Sequence, residues 1–139
     1  MAPLTLAPPV FCNAAGELAA NPAGYAELQL APSRIGATDL AELLTHTGAL
    51  LLRRGWRGLL CNARAVEGFD DAAMTWLLRH WLTQHVPQPP QMFKAQVVPA
   101  SPAAQASFGQ LRELAPVQAR YAYFACEASA HSYLRVLLA

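Results

Sequence analysis

The sequence predicts an α/β domain: a mixed sheet of about five strands, opening with an antiparallel hairpin or meander and continuing in β–α repeats, with about four helices. Three observations lead to it. First, 54% of the 139 residues are hydrophobic and only 14% are charged, enough apolar matter to bury a core without a metal or disulfide staple. Second, short apolar runs of strand length alternate with stretches whose apolar residues recur at helical spacing. Third, prolines and glycines fall between those runs and divide the chain into short elements. The length fits a single domain over 1–139, with 1–9 as an extended leading segment and 10–139 as the core.

Val10 to Asn13 reads as the first strand, Glu17 to Ala20 as a short second one, and Tyr25 to Leu30 as a third. Asn21-Pro22-Ala23-Gly24 between the last two is a turn signal, since proline fixes φ at one corner and glycine accepts a positive φ later. A helix follows. Thr38 is placed to cap it, Asp39 suits its positive end, and Leu40, Leu43, Leu44, Thr47, Leu50 and Leu51 form its inner stripe. Arg53 and Arg54 complement its last turn, and Gly55 can end it in the left-handed conformation. Gly48 in its interior points to close packing, because glycine there costs about 1 kcal/mol relative to alanine.

Gly58 to Asn62 is an apolar run suited to a buried central strand. A second helix is expected from Asp70 or Asp71 to about His85, stopped by Pro87, Pro89 and Pro90. Lys94 to Val98 reads as a strand, and Ser101-Pro102 as the cap and first residue of a third helix reaching about Leu114. Arg120 to Phe124 supplies a last strand. Ser129 to Leu138 forms a terminal helix with Ala130, Tyr133, Leu134, Leu137 and Leu138 inward. Strand–helix units with short connections favour right-handed crossovers and parallel pairing.

The net charge is +1, and the basic residues, nine arginines and Lys94, are scattered. No basic stripe exists to neutralise a run of phosphates, which argues against nucleic acid as a partner. Mean hydropathy is +0.20, yet the densest apolar stretch, Gly48 to Leu52, meets Arg53 and Arg54 far short of the ~20 residues a membrane span needs. Membrane insertion is therefore not expected. The opening residues lack a basic start and are broken by Pro3, Pro8 and Pro9, unlike a signal peptide. Three cysteines with no CxxC spacing fit reduced thiols in a cytoplasmic setting.

Four segments together resemble the STAS-like domains, the fold of bacterial anti-sigma-factor antagonists, and more closely a divergent STAS/SEC14-like group of small bacterial proteins. They are Phe11 to Gly16 with Asn21 to Tyr25; Leu51 to Gly55 leading into Leu59 to Arg64; Trp76 and Trp81; and Phe124 to Ala130 before the terminal helix. The likeness spans about Phe11 to Leu138. It implies a protein-interaction or regulatory module. Antagonists of this kind are switched by phosphorylation of a Ser or Thr after the central strand. Here that segment, Asn62 to Asp71, has no hydroxyl, so the resemblance does not bring the switch with it. A fold of this kind also leaves function open.

The same segment holds the first candidate site. Ligands in open α/β sheets lie beyond the carboxyl ends of parallel strands, where Asn62, Arg64, Glu67, Asp70 and Asp71 gather an amide, a guanidinium and three acids. Arg64 could clamp an anion, or Glu67 and Asp70 a cation. Equally, Asp70 could cap the helix, Asp71 complement its dipole and Arg64 pair with one of them. The second candidate is an interface on the second helix. Trp76 and His80 lie one turn apart and Trp81 follows, and tryptophan favours interfaces, although packing against a neighbouring helix accounts for the rings as well.

No metal site is expected. His80 and His85 are five residues apart, which does not place two ligands on one helix face, and His46 and His131 are read as having no Cys or acidic neighbour at metal-binding spacing. Cys61 should be an inert core residue, while Cys126 precedes a helix that could lower its thiol pKa. No catalytic set and no cofactor motif emerges. Two functions from different classes remain. One is a non-enzymatic interaction module docking on a protein partner or on itself, as a homodimer, through Trp76 and Trp81. The other is a carrier of a small apolar ligand or lipid, of SEC14-like type, which would need a cavity of ~300 Å3 or more.

Overall fold

The computed structural model describes residues 9–115 and 121–139. The expected leading segment 1–9 lies outside these residues except for Pro9, which already belongs to the first strand. Likewise Arg120, the expected start of the last strand, falls outside. The protein is α/β, with a mixed sheet and four helices.

Strands β1 (Pro9–Asn13), β2 (Gly16–Asn21) and β3 (Tyr25–Leu30) form an antiparallel meander, and Glu17 to Ala20 is a full member of it. The Asn21–Gly24 turn closes with Gly24 N–H donating to the Asn21 carbonyl at 2.9 Å. A two-residue strand β4 (Arg34–Ile35) precedes helix α1 (Ala37–Arg54), and β5 (Gly58–Asn62) follows it. Another two-residue strand, β6 (Gly68–Phe69), pairs with β4 in parallel. Strand β7 (Phe93–Val97), helix α3 (Pro102–Leu114), strand β8 (Ala122–Phe124) and helix α4 (Glu127–Leu138) complete the chain. The main sheet has six strands in the order β1-β2-β3-β5-β7-β8, with β3, β5, β7 and β8 parallel.

The sheet is covered on both faces, so β5 is buried at all five positions and reads as a continuous apolar run. Ala26, Leu28, Leu59 and Cys61 share the larger core with α1. On the opposite face Tyr25, Leu60, Ala95 and Val97 pack with Ala130 and Leu134 of α4. That alternation within β3, β5 and β7 places two different chemistries on the two sides of one sheet.

Several expectations about α1 and α4 need correction. Gly36, not Thr38, occupies the cap of α1, with an extended backbone and no side-chain bond, and Thr38 lies inside the first turn. The other end behaves as expected: Gly55 adopts φ 66°, and the N–H groups of Gly55 and Trp56 satisfy carbonyls of the last turn. Gly48 packs against the Pro87 segment so closely that a Cβ would sit 2.1 Å from the Pro87 carbonyl oxygen. In α4, Leu137 is 41% exposed and does not face inward, while Leu138 packs beside Gly58.

The second helix differs most. Asp70 caps it, accepting from Ala73 N–H at 2.8 Å, and α2 then runs Asp71–Trp76. It continues as a π-helical turn over Leu77–Trp81, closed by Leu82 N–H donating to the Leu77 carbonyl at 2.9 Å. The wider turn lets Leu77, Trp81 and Leu82 all reach the core. The helix ends before His85, because Val86 N–H and the Gln88 side-chain amide take the last carbonyls and Gln84 turns to φ 63°.

Candidate functional site

The Asn62–Asp71 segment lies, as anticipated, beyond the carboxyl end of β5, but its side chains serve the loop itself. Asn62 is buried and its Oδ1 accepts from Arg64 N–H at 3.0 Å. Glu67 is exposed, and its backbone N–H donates to the Ser33 carbonyl at 3.0 Å. Asp70 is the cap of α2, and Asp71 lies exposed in its first turn. The expected pairing of Arg64 with one of these acids does not occur. Its Nη1 donates instead to the Ala125 carbonyl at 3.2 Å, tying the β5 loop to the start of α4.

The three residues expected to form an interface separate. Trp76 is half-buried and His80 exposed, with ring centroids 5.8 Å apart. Trp81 is 1% exposed and so cannot be part of a surface contact. The correction follows from the π-helical turn: Trp81 points under the helix, where its Nε1–H donates to the Tyr121 hydroxyl at 3.2 Å.

Trp81 instead lines a cavity of about 60 Å3, between the sheet face and the helices α1, α2 and α3. Leu28 and Leu30 form its floor, Leu40 and Leu44 of α1 one wall, and Phe108 and Leu111 of α3 another. Tyr121 and Tyr123, alternate residues at strand β8, lie on the same face and contribute their rings. Arg112 is the only charged side chain among the described lining residues, and its guanidinium lies 4.1 Å from the centroid of the Tyr123 ring. The cavity is largely apolar, with Gln96 and Arg112 as its polar lining residues, and its volume falls well short of the ~300 Å3 expected of a carrier.

A second cation stands behind two of its walls. Lys94 is 4% exposed, and its Nζ has no hydrogen-bond partner among the described residues. It lies 5.2 Å from the Tyr121 ring centroid and 5.7 Å from that of Trp81. Burial pulls the ammonium from its usual 10.5 to about 8.

On the opposite face, Glu27 of β3 meets Glu127 and His131 of α4, with one ligand atom from each within 4.8 Å of the others. Glu127 and His131 are four residues apart on one helix face, which corrects the expectation that His131 has no acidic neighbour at ligand spacing. The Tyr25 hydroxyl is hydrogen-bonded to His131 Nδ1, and Asn21 Nδ2–H donates to Glu27.

The cysteines divide as expected. Burial pushes the Cys61 thiol up to about 12. Cys126 is exposed at the cap of α4, and the Ser129 hydroxyl, 3.2 Å away, is first among the groups that pull its thiol below the usual value. No base stands beside it within hydrogen-bonding distance among the described residues.

Of the residues named as candidate site or interface in the sequence, Trp81 alone lines the cavity. The missed ones left faint traces: Tyr121 and Tyr123 at strand alternation, Phe108 and Leu111 at helical spacing, and a lone lysine within an apolar strand. No helix among the described residues is long and apolar enough to cross a membrane. No family model, curated protein or solved structure matches the chain.

Proposed function

We propose that the chain is a non-enzymatic binding module of STAS-like pattern whose cavity takes a small, mostly apolar ligand carrying one acidic group. The observation that carries this reading is the cavity itself, walled by leucines and aromatic rings with Arg112 at its edge. A carboxylate at the edge would meet the guanidinium, while the apolar body fills the space beneath. Lys94, behind Trp81 and Tyr121, adds a positive potential of the same sign. The π-helical turn that supplies Trp81 also supports the reading, since such turns often accompany functional sites.

Size limits the ligand. A volume of about 60 Å3 is less than half of the ~150 Å3 of an apolar cavity that takes benzene, so a single ring or a short branched chain would enter only as the walls move apart. A two-chain lipid of the kind a SEC14-like carrier would hold needs far more. The test is a titration of uniformly 15N-labelled protein with phenylacetate and 4-methylpentanoate, each beside its neutral amide. Saturable shifts at the amides of Leu44, Phe108 and Tyr121, stronger for the acids and abolished by Leu44→Trp, are expected. Shifts that grow linearly with ligand and survive Leu44→Trp would reject the proposal.

Docking of a protein partner, or of a second copy, is the competing reading. With Trp81 buried, it rests on Trp76 and His80 alone. A Trp76→Ala change that abolishes self-association in light scattering would support it; a monomer with or without Trp76 removes the homodimer.

A further inference from the structure

We propose that Glu27, Glu127 and His131 form a binding site for a divalent transition-metal ion, Zn2+ foremost, on the α4 face of the sheet. This site is independent of the ligand cavity, which lies on the other face. Glu27 projects from β3 on the same side as Tyr25, and α4 lays Glu127 and His131 across it one helical turn apart. One ligand atom from each lies within 4.8 Å of the other two.

His131 supplies the decisive observation. It is 4% exposed, and its Nε2 has no hydrogen-bond partner among the described residues. That nitrogen faces Glu127 Oε1 at 3.6 Å. The separation is too long for a hydrogen bond, but close to the about 3.4 Å that two ligands reach when each stands about 2.1 Å from a tetrahedral ion. The other nitrogen is already held: Nδ1 is hydrogen-bonded to the Tyr25 hydroxyl and has Glu27 Oε1 at 4.0 Å. With the proton on Nδ1, donated to Tyr25, the Nε2 lone pair is free to ligate. This is the outer-shell arrangement that orients metal-binding imidazoles. Asn21, donating to Glu27, plays the corresponding part for the carboxylate.

The charges around the site fit a cation. Two carboxylates and an imidazole converge between β3 and α4, a donor set that a divalent ion could engage. Arg135, one turn further along α4, is the nearby cation whose charge acts on the Tyr25 hydroxyl. One imidazole nitrogen with two carboxylate oxygens suits Zn2+ or Mn2+, whereas Ca2+ and Mg2+ prefer all-oxygen sets. Three protein ligands leave a fourth position open to water.

The competing occupant is a proton, giving an imidazolium between the two acids at 3.6 and 4.0 Å. Isothermal titration of EDTA-treated, untagged full-length protein with ZnCl2 at pH 7.5 separates the two. One equivalent should bind, and the His131 ring should show the Nδ1-protonated tautomer in a long-range 15N spectrum. Glu127→Gln, at a half-buried position where the fold should survive, should weaken binding at least tenfold. His85→Gln should leave it unchanged, excluding the exposed His80–His85 pair, whose rings lie 6.4 Å apart. Absence of Zn2+ binding in folded protein, or binding lost in His85→Gln but kept in Glu127→Gln, would overturn the proposal.

Discussion

Replacing Lys94 with methionine should stabilise the protein, by an amount that depends on pH in a defined direction. The Lys94 ammonium is 4% exposed and has no hydrogen-bond partner among the described residues, and burial lowers its pKa from 10.5 to about 8. A fall of that size corresponds to about 3 kcal/mol of unfavourable free energy in the charged form. The two ring contacts, at 5.2 and 5.7 Å, offset roughly 1–2 kcal/mol of it. A net cost of about 1–2 kcal/mol is therefore expected below pH 8, where folded and unfolded chains both carry the proton. Between pH 8 and 10.5 the folded chain releases its proton while the unfolded chain keeps it, so stability rises relative to the variant and the difference closes. Urea denaturation of parent and Lys94→Met at pH 7, 9 and 10.5 measures this. Cys61 works in the opposite sense, because its thiol is raised to about 12 and the unfolded thiol ionises first. That contribution is common to both proteins and cancels in the difference. A parent more stable than the variant at pH 7 by 1 kcal/mol or more, with no dependence on pH, would refute the reasoning and mean that the ammonium is paired.

Gly48→Ala should destabilise by about 1–3 kcal/mol despite alanine's better helix propensity, because the new Cβ would lie 2.1 Å from the Pro87 carbonyl oxygen. A lower urea midpoint at unchanged slope is the readout, and a stabilised variant would show that α1 and the Pro87 segment do not touch. Asp70→Ala removes the acceptor for Ala73 N–H and should cost about 1 kcal/mol in the same assay. Under native conditions Cys126 should react with iodoacetamide well before Cys61, since one thiol is exposed and pulled down while the other is buried and pushed up; peptide mapping decides the order.

Much of the fold was legible because its signals are local. Strand β3 and the fully buried β5 begin and end where the alternation and the apolar run place them, and Gly55 and Ser101-Pro102 mark helix ends through backbone geometry of their own. Strands β4 and β6 left no trace, since two residues are too short to show a period and they pair only across the fold. The π-helical turn was equally silent: its sequence, Leu77 to Trp81, fits an α-helix, and only packing selects the wider turn. The candidate sites followed the same division. Asp70 as a cap could be read from its place before an apolar run. The cavity joins α1, α3 and β8, and its walls meet only through tertiary contacts. The Glu127–His131 pair was visible in the spacing, but Glu27 and Tyr25 lie about a hundred residues away along the chain.

The central claim, that the cavity beside Arg112 binds a small apolar acid, is tested most directly by the 15N titration with phenylacetate against phenylacetamide. Saturation at Leu44, Phe108 and Tyr121, with the acid bound more tightly than the amide and that preference lost in Arg112→Met, is the predicted result. Equal, non-saturating shifts for acid and amide in both proteins would contradict the claim and leave the cavity a packing feature of the core.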